Sequence, residues 1–154
     1  MTNSQEVASR LDAVLSTLLD ATNASRTTLR VDVPALGFIV NDPAGEAKRA
    51  EVKSLRGETG LNQRALETVK WLERERRPLV QDDLLTAEVP APAALIEIYG
   101  VHAQMLGPLI VDGALQGWVS VHECGASRNW SAADTAALDA AVDSVRSILA
   151  DTAR

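Results

Sequence analysis

Residues 113–123, GALQGWVSVHE, alternate as a β-strand does, so every second side chain shares a face. Leu115, Gly117, Val119 and Val121 form an apolar strip. Gln116, Trp118, Ser120 and His122 form the other: an amide, an indole, a hydroxyl and an imidazole, one above another. A second strand-like run, RTTLRVDV at 26–33, splits in the same way, with Thr27, Leu29, Val31 and Val33 against Arg26, Thr28, Arg30 and Asp32. Set side by side, the polar strips bring Thr28, Arg30 and Asp32 to Trp118, Ser120 and His122. Arg30 then offers two-pronged, charge-assisted hydrogen bonds to a carboxylate or similar anion. Thr28, Ser120 and His122 add directional bonds, and Trp118 an apolar wall. A solvated sheet face explains the same polarity. The choice turns on whether residues 41–100 cover the strip. Under such a cover Arg30 is costly unless it meets Asp32 or a bound anion.

Further candidates flank these strands. Tyr99 is the only tyrosine and ends ALIEIYG, as a cap over the polar strip or as plain packing. His102, Gln104 and Met105 lie in HAQMLGPLIV, which a two-residue turn at Asp112–Gly113 joins to the next strand. An unbroken register puts Met105 on the face of Ser120 and turns His102 and Gln104 away; a bulge near Gly107 or Pro108 reverses this, so all three stay candidates. His102 and His122 have no metal-ligand spacing and no cysteine cluster around them, so no metal is expected. Cys124, the single cysteine, allows no intrachain disulfide, fits a reducing compartment, and has no evident base to activate it. No nucleophile, base and orienting group are legible together.

The elements that must position these residues follow from periodicity. A chain of 154 residues that is 46% hydrophobic is expected to form one domain, residues 1–154, with a substantial core. A net charge of −6 speaks against nucleic acid or an anionic membrane as partner. The N-terminus has no basic leader, and Glu6, Arg10, Asp12 and Asp20 interrupt its apolar residues. It reads as an amphipathic helix over 4–21, not a signal or anchor, and a cytoplasmic protein is expected. LGFIV (36–40) is expected to pair back onto 26–33 through the turn at Pro34, and 46–53 to form a short helix. Ala65, Leu66, Val69 and Leu72 mark a helix stopped by Pro78; LVQDD reads as a short strand, and VPAPAALIEIYG as a helix of one or two turns. Ser131 and Asp134 make a capping box that opens a long last helix, striped by Leu138, Val142, Val145 and Ile148.

This order of elements, with RRPLVQDD, MLGPLIVDGALQGWVSVH and WSAADTAALDAAVDSV, resembles a standalone GAF domain protein over nearly the whole chain. The hairpin followed by W-S-x-x-D is its most specific part. The resemblance implies an α+β fold: a twisted antiparallel sheet with the terminal helices on one face, a helix-and-loop segment covering a small-ligand cavity on the other, and the first and last strands adjacent. GAF ligands vary, so the fold names none. The free methionine-(R)-sulfoxide reductases use several cysteines, and this chain has one. Nothing in it resembles the chromophore motifs of phytochrome-type GAF domains, and the N-K-x…F-x-x-x-D-E pattern of the cyclic-nucleotide binders is absent. The leading expectation is a sensor of a small anionic metabolite, with Thr28, Arg30, Asp32, Tyr99, His102, Gln104, Met105, Trp118, Ser120 and His122 as ligand-binding candidates and with no cofactor and no metal. A structural or dimerisation module with a vestigial cavity is one alternative, and a small enzyme using Arg30 and His122 is another. The wide stripes of the terminal helices predict a homodimer through them. A sensor of this kind also implies a signalling partner.

Overall fold

The computed structural model describes residues 4–152. Residues 1–3, part of the stretch read as lacking a basic leader, lie outside the described residues, as do 153 and 154. Helix α1 (Ser4–Thr22) leads into β1 (Arg26–Val31) and β2 (Gly45–Lys48). Helix α2 (Glu67–Glu75), β3 (Leu79–Gln81) and α3 (Ala93–Glu97) follow. The hairpin β4 (Val101–Val111) and β5 (Ala114–Cys124) and helix α4 (Ala132–Thr152) complete the chain. The five strands form one antiparallel sheet in the order β2-β1-β5-β4-β3, so the first strand and the last are neighbours at its centre.

Both terminal helices lie on one face. Val7, Leu11, Leu15 and Leu18 of α1 and Leu138, Val142 and Val145 of α4 close over Leu29, Val31, Met105, Leu109, Val119 and Val121 of the sheet. The spacing of these leucines and valines puts them on one stripe of each helix, and burying that stripe is what holds the helices to the sheet. Thr27 Oγ1 donates to the Leu15 carbonyl at 2.8 Å and fixes β1 against α1. At the start of α4 the capping box forms: the Asp134 amide donates to Ser131 Oγ at 3.1 Å, and the Ser131 amide to Asp134 Oδ2 at 2.9 Å. The other sheet face is covered by the segment between β2 and β4. There Val69 and Leu72 of α2 pack on Leu79, Leu106, Leu115 and Trp118.

Three local expectations are corrected. LGFIV does not form a strand; only Val33 and Phe38 bridge across the Pro34–Leu36 turn. The strand beside β1 is instead β2, Gly45–Lys48, which overlaps the start of the 46–53 stretch expected to be helical. Its edge is tied down by α1, since the Glu46 amide donates to Asp12 Oδ1 at 3.0 Å. A pairing partner and a tertiary hydrogen bond outweigh weak local propensity. The third correction is register. The turn at Asp112 and Gly113 (φ 51° and 81°) is as expected, but β5 bulges at Gln116, so Leu109 pairs with Gly117 and not Gln116. The bulge moves Leu115 to the face of Trp118. Gly117 leaves no room for a side chain: a Cβ there would run into the Arg30 carbonyl oxygen and Val31 of β1.

Candidate functional site

The register lays the polar side chains of the covered face in rows. Arg26, His122, Gln104 and Gln81 are partners across β1, β5, β4 and β3; Thr28, Ser120, Leu106 and Leu79 form the next row, and Arg30, Trp118 and Pro108 the third. Above the rows lies a cavity of about 60 Å³. Thr28, Arg30, Gln104, Leu106, Trp118, Ser120 and His122 form its floor. The covering segment supplies its roof, with Leu55, Glu58, Leu61, Gln63, Leu66, Val69, Leu95 and Tyr99 among the lining residues. The roof is latched where two parts of that segment meet, the Tyr99 hydroxyl donating to Glu58 Oε2 at 3.0 Å.

Two arginines dominate the electrostatics. Arg26 is fully buried and Arg30 is 5% exposed. Burial pushes both guanidiniums below their ordinary value, partly offset at Arg26 by Cys124, Glu46 and Tyr99, and at Arg30 by Asp42, Glu58, Tyr99 and Glu46. Neither forms an ion pair among the described residues. Arg30 Nη1 donates to the Val40 carbonyl at 3.0 Å. Arg26 donates from Nε to His122 Nδ1 at 3.1 Å and from Nη1 to the Lys53 carbonyl at 2.6 Å, while its buried Nη2 has no partner among the described residues. The bond to His122 sets a tautomer. With Nδ1 as acceptor, the proton of the neutral ring sits on Nε2, and His122 is a donor toward the cavity. Burial, and then the charges of Arg26 and Arg30, hold its pKa well below the usual histidine range. An imidazole with Nδ1 engaged and Nε2 protonated is arranged to bind, not to abstract a proton.

At the cavity mouth the signs reverse. The Gly60 amide, and then the Tyr99 hydroxyl, lower the pKa of Glu58. Burial, and then the bond to Glu58, raise that of Tyr99. Glu58 thus stays an anion and Tyr99 a neutral donor. Among the described residues no three His, Cys, Asp or Glu side chains gather closely enough to hold a metal ion.

The sequence pattern of the GAF domain matches residues 6–149. The chain belongs to the GAF domain family. A comparison with curated protein sequences finds no match. Solved structures with a similar fold include the blue-light absorbing form of the PixJ GAF domain of Thermosynechococcus elongatus, at 13% identity and a TM-score of 0.74 over 94% of this chain and 85% of that one. Another is the phycocyanobilin-bound GAF domain of a cyanobacterial phytochrome, at 15% identity and a TM-score of 0.70 over 98% and 96%. At such identities the likeness is one of fold. No helix among the described residues of this GAF domain is long and apolar enough to cross a membrane.

Of the residues singled out in the sequence, Thr28, Arg30, Tyr99, Gln104, Trp118, Ser120 and His122 line the one cavity. The Gln116 bulge is what puts Gln104 there, and it sends Met105 to the opposite face, among the residues under the terminal helices. His102 does not line the cavity either. It is the extra residue of a second register shift between Val101 and Ala103, and its carbonyl accepts the Leu84 amide at 2.8 Å. Asp32 lies beyond the last paired residue of β1 and does not neutralise Arg30. Its carboxylate accepts the Val40 amide at 2.9 Å and Arg64 Nη2 at 2.6 Å. Sequence reading missed Arg26 as part of the site, although it has the same strand parity as Thr28 and Arg30. The roof leucines and Glu58 carry no motif; only the fold brings them over the sheet.

Proposed function

We propose that this GAF domain is a sensory module whose cavity binds a small anionic metabolite. One observation carries the reading: two buried guanidiniums that point to the same sheet face and have no carboxylate partner among the described residues. Leaving such charges uncompensated in a low-dielectric site is costly, and a bound anion supplies the missing charge. Arg30 is the primary contact, His122 Nε2 a directional donor, and Arg26 a positioning residue that fixes the tautomer of His122. The volume of about 60 Å³ is well below the roughly 300–1,000 Å³ of drug-sized sites, which favours a ligand of few atoms. Calorimetry with small organic anions tests this. Arg30→Ala is expected to lose about 1.5–3 kcal/mol of binding, the range for a hydrogen bond to a charged group. Arg146→Ala, on the far helix, is expected to change nothing. Equal binding by wild type and Arg30→Ala overturns the reading.

A homodimer through the terminal helices is part of the same proposal. A groove of about 240 Å³ between α1 and α4 is lined by Val14, Thr17, Leu18, Ala21, Ala137, Ala140, Ala141 and Ser144, with no charge among them. Two copies carrying −6 each meet at least cost over an uncharged face. Sedimentation is expected to give a dimer for the wild type and a monomer for Ala140→Glu; a monomeric wild type at micromolar concentration refutes it. We place the signalling partner and a cytoplasmic setting in the same proposal, as the roles such a sensor would serve.

A further inference from the structure

We propose that the anion is a short aliphatic monocarboxylate, its head on the sheet and its tail under the roof; this rests on reading the cavity as an anion site. The two walls differ in chemistry. On the floor, Thr28 and Ser120 are cross-strand partners in the β1–β5 pair, 1% and 5% exposed as residues, and neither side chain has a hydrogen bond among the described residues. With Arg30 and His122 Nε2 they make four sets of donors, which matches the roughly four lone-pair positions of one carboxylate. The roof opposite is aliphatic, formed by Leu55, Leu61, Leu66, Val69 and Leu95.

Charge and size narrow the choice. A second anionic end on the ligand would lie among the roof leucines or meet Glu58, itself an anion at the mouth. Both Glu58 oxygens are already engaged, by the Gly60 amide at 2.8 Å and the Tyr99 hydroxyl at 3.0 Å, so no ligand ammonium is needed to satisfy it. A cavity of about 60 Å³ holds on the order of four to six water-sized groups, which corresponds to monocarboxylates of about two to four carbons, so that the fifth carbon of a branched acid reaches the mouth.

Calorimetry at fixed ionic strength with sodium acetate, propionate, 3-methylbutanoate, succinate and phosphate, and with L-valine, tests the inference on the full chain. Affinity is expected to rise about fourfold per added methylene from acetate to 3-methylbutanoate. Leu95→Ala is expected to flatten that gradient and leave acetate unchanged, while Arg30→Met weakens every acid at least tenfold. Tighter binding of succinate or phosphate than of 3-methylbutanoate overturns the monocarboxylate inference and leaves the anion site standing. L-Valine binding tenfold tighter than 3-methylbutanoate, its amine-free counterpart, overturns it in favour of an amino acid held at Glu58. A gradient unmoved by Leu95→Ala overturns the placement of the tail. Binding of none of the probes, or equal binding by Arg30→Met, overturns the anion site itself.

Discussion

Arg128 and the pair Arg26–Arg30 show two ways for one small protein to bury a guanidinium. Arg128, with a side chain 23% exposed, is surrounded by partners. It reaches Glu123 at 2.8 Å and both oxygens of Asp134 at 3.2 Å, donates to the Thr22 carbonyl, and lies 4.4 Å from the centre of the Trp130 ring. Those contacts join the end of α1, the end of β5 and the cap of α4. Arg26 and Arg30 are more deeply buried and bind carbonyls and an imidazole, with no carboxylate in contact among the described residues. An arginine that completes the fold brings its counterion with it. On the reading proposed above, an arginine that lacks one in a buried site takes its counterion from outside.

The largest effect is expected at Arg128. Arg128→Ala leaves Asp134, only 9% exposed, without its cation and frees the Thr22 carbonyl. A loss of about 2–4 kcal/mol is expected in urea unfolding, somewhat under the range for breaking a fully buried pair because Arg128 keeps some solvent. A loss below about 1 kcal/mol would mean that the clasp is surface decoration and the contrast is false.

Next in size is the pH dependence centred on His122. Its folded pKa lies well below the usual value, chiefly because it is buried and then because Arg26 and Arg30 are near. Unfolded, the ring titrates near its ordinary value of about 6.5. Below that pH the unfolded chain takes up a proton that the folded chain refuses. Stability therefore falls on acidification, by up to about 1.4 kcal/mol per pH unit from this group, until the folded ring itself is protonated. His122→Gln keeps an acceptor for Arg26 Nε and should remove this component of the slope. Parallel urea titrations between pH 5 and 7 compare the two; identical slopes would show that His122 is not held neutral.

Arg30→Met should act in the opposite sense from Arg128→Ala. An apolar chain of similar length removes an uncompensated buried charge, at the cost of leaving the Val40 carbonyl without its donor. Ligand-free stability is expected within about 1 kcal/mol of wild type or above it. A loss beyond about 3 kcal/mol would make Arg30 a structural residue like Arg128.

The legibility of the two regions in sequence also differed. The Ser131–Asp134 cap and the helix stripes are local patterns, and they formed where spacing placed them. The strand parity of Thr28 and Arg30 and of Trp118, Ser120 and His122 was equally readable, and these side chains share one cavity. The identity of Gln104 over Met105 was not, because one bulged residue at Gln116 inverts every side chain beyond it and a bulge has no sequence requirement strong enough to locate it. Strand β2 was hidden because Gly45–Lys48 owes its conformation to β1 and to Asp12 of α1, which are distant in sequence. The partners of Arg128, by contrast with those of Arg30, include three residues within six positions of it, Glu123, Trp130 and Asp134.

The smallest effect concerns the latch that closes the uncompensated site. Tyr99→Phe removes the hydroxyl that bonds Glu58 Oε2 and keeps the ring, whose face lies 5.3 Å from Lys53 Nζ and 5.8 Å from the Arg26 guanidinium carbon. Both latch residues are partly exposed, so water replaces the lost bond, and Tm is expected to move by no more than about 1–2 °C. The kinetics should respond more. If the latch joins the two roof segments over a bound acid, weakening it raises the population of open roof without touching the floor donors. Dissociation of 3-methylbutanoate should then quicken about two- to fivefold, while association changes less, because most affinity differences within one site reside in the off-rate. Stopped-flow tryptophan fluorescence can follow this through Trp118 in the cavity wall. An unchanged off-rate would show that the roof does not gate the cavity. A large fall in Tm would show that Tyr99 belongs with Arg128 among the residues that hold the fold together.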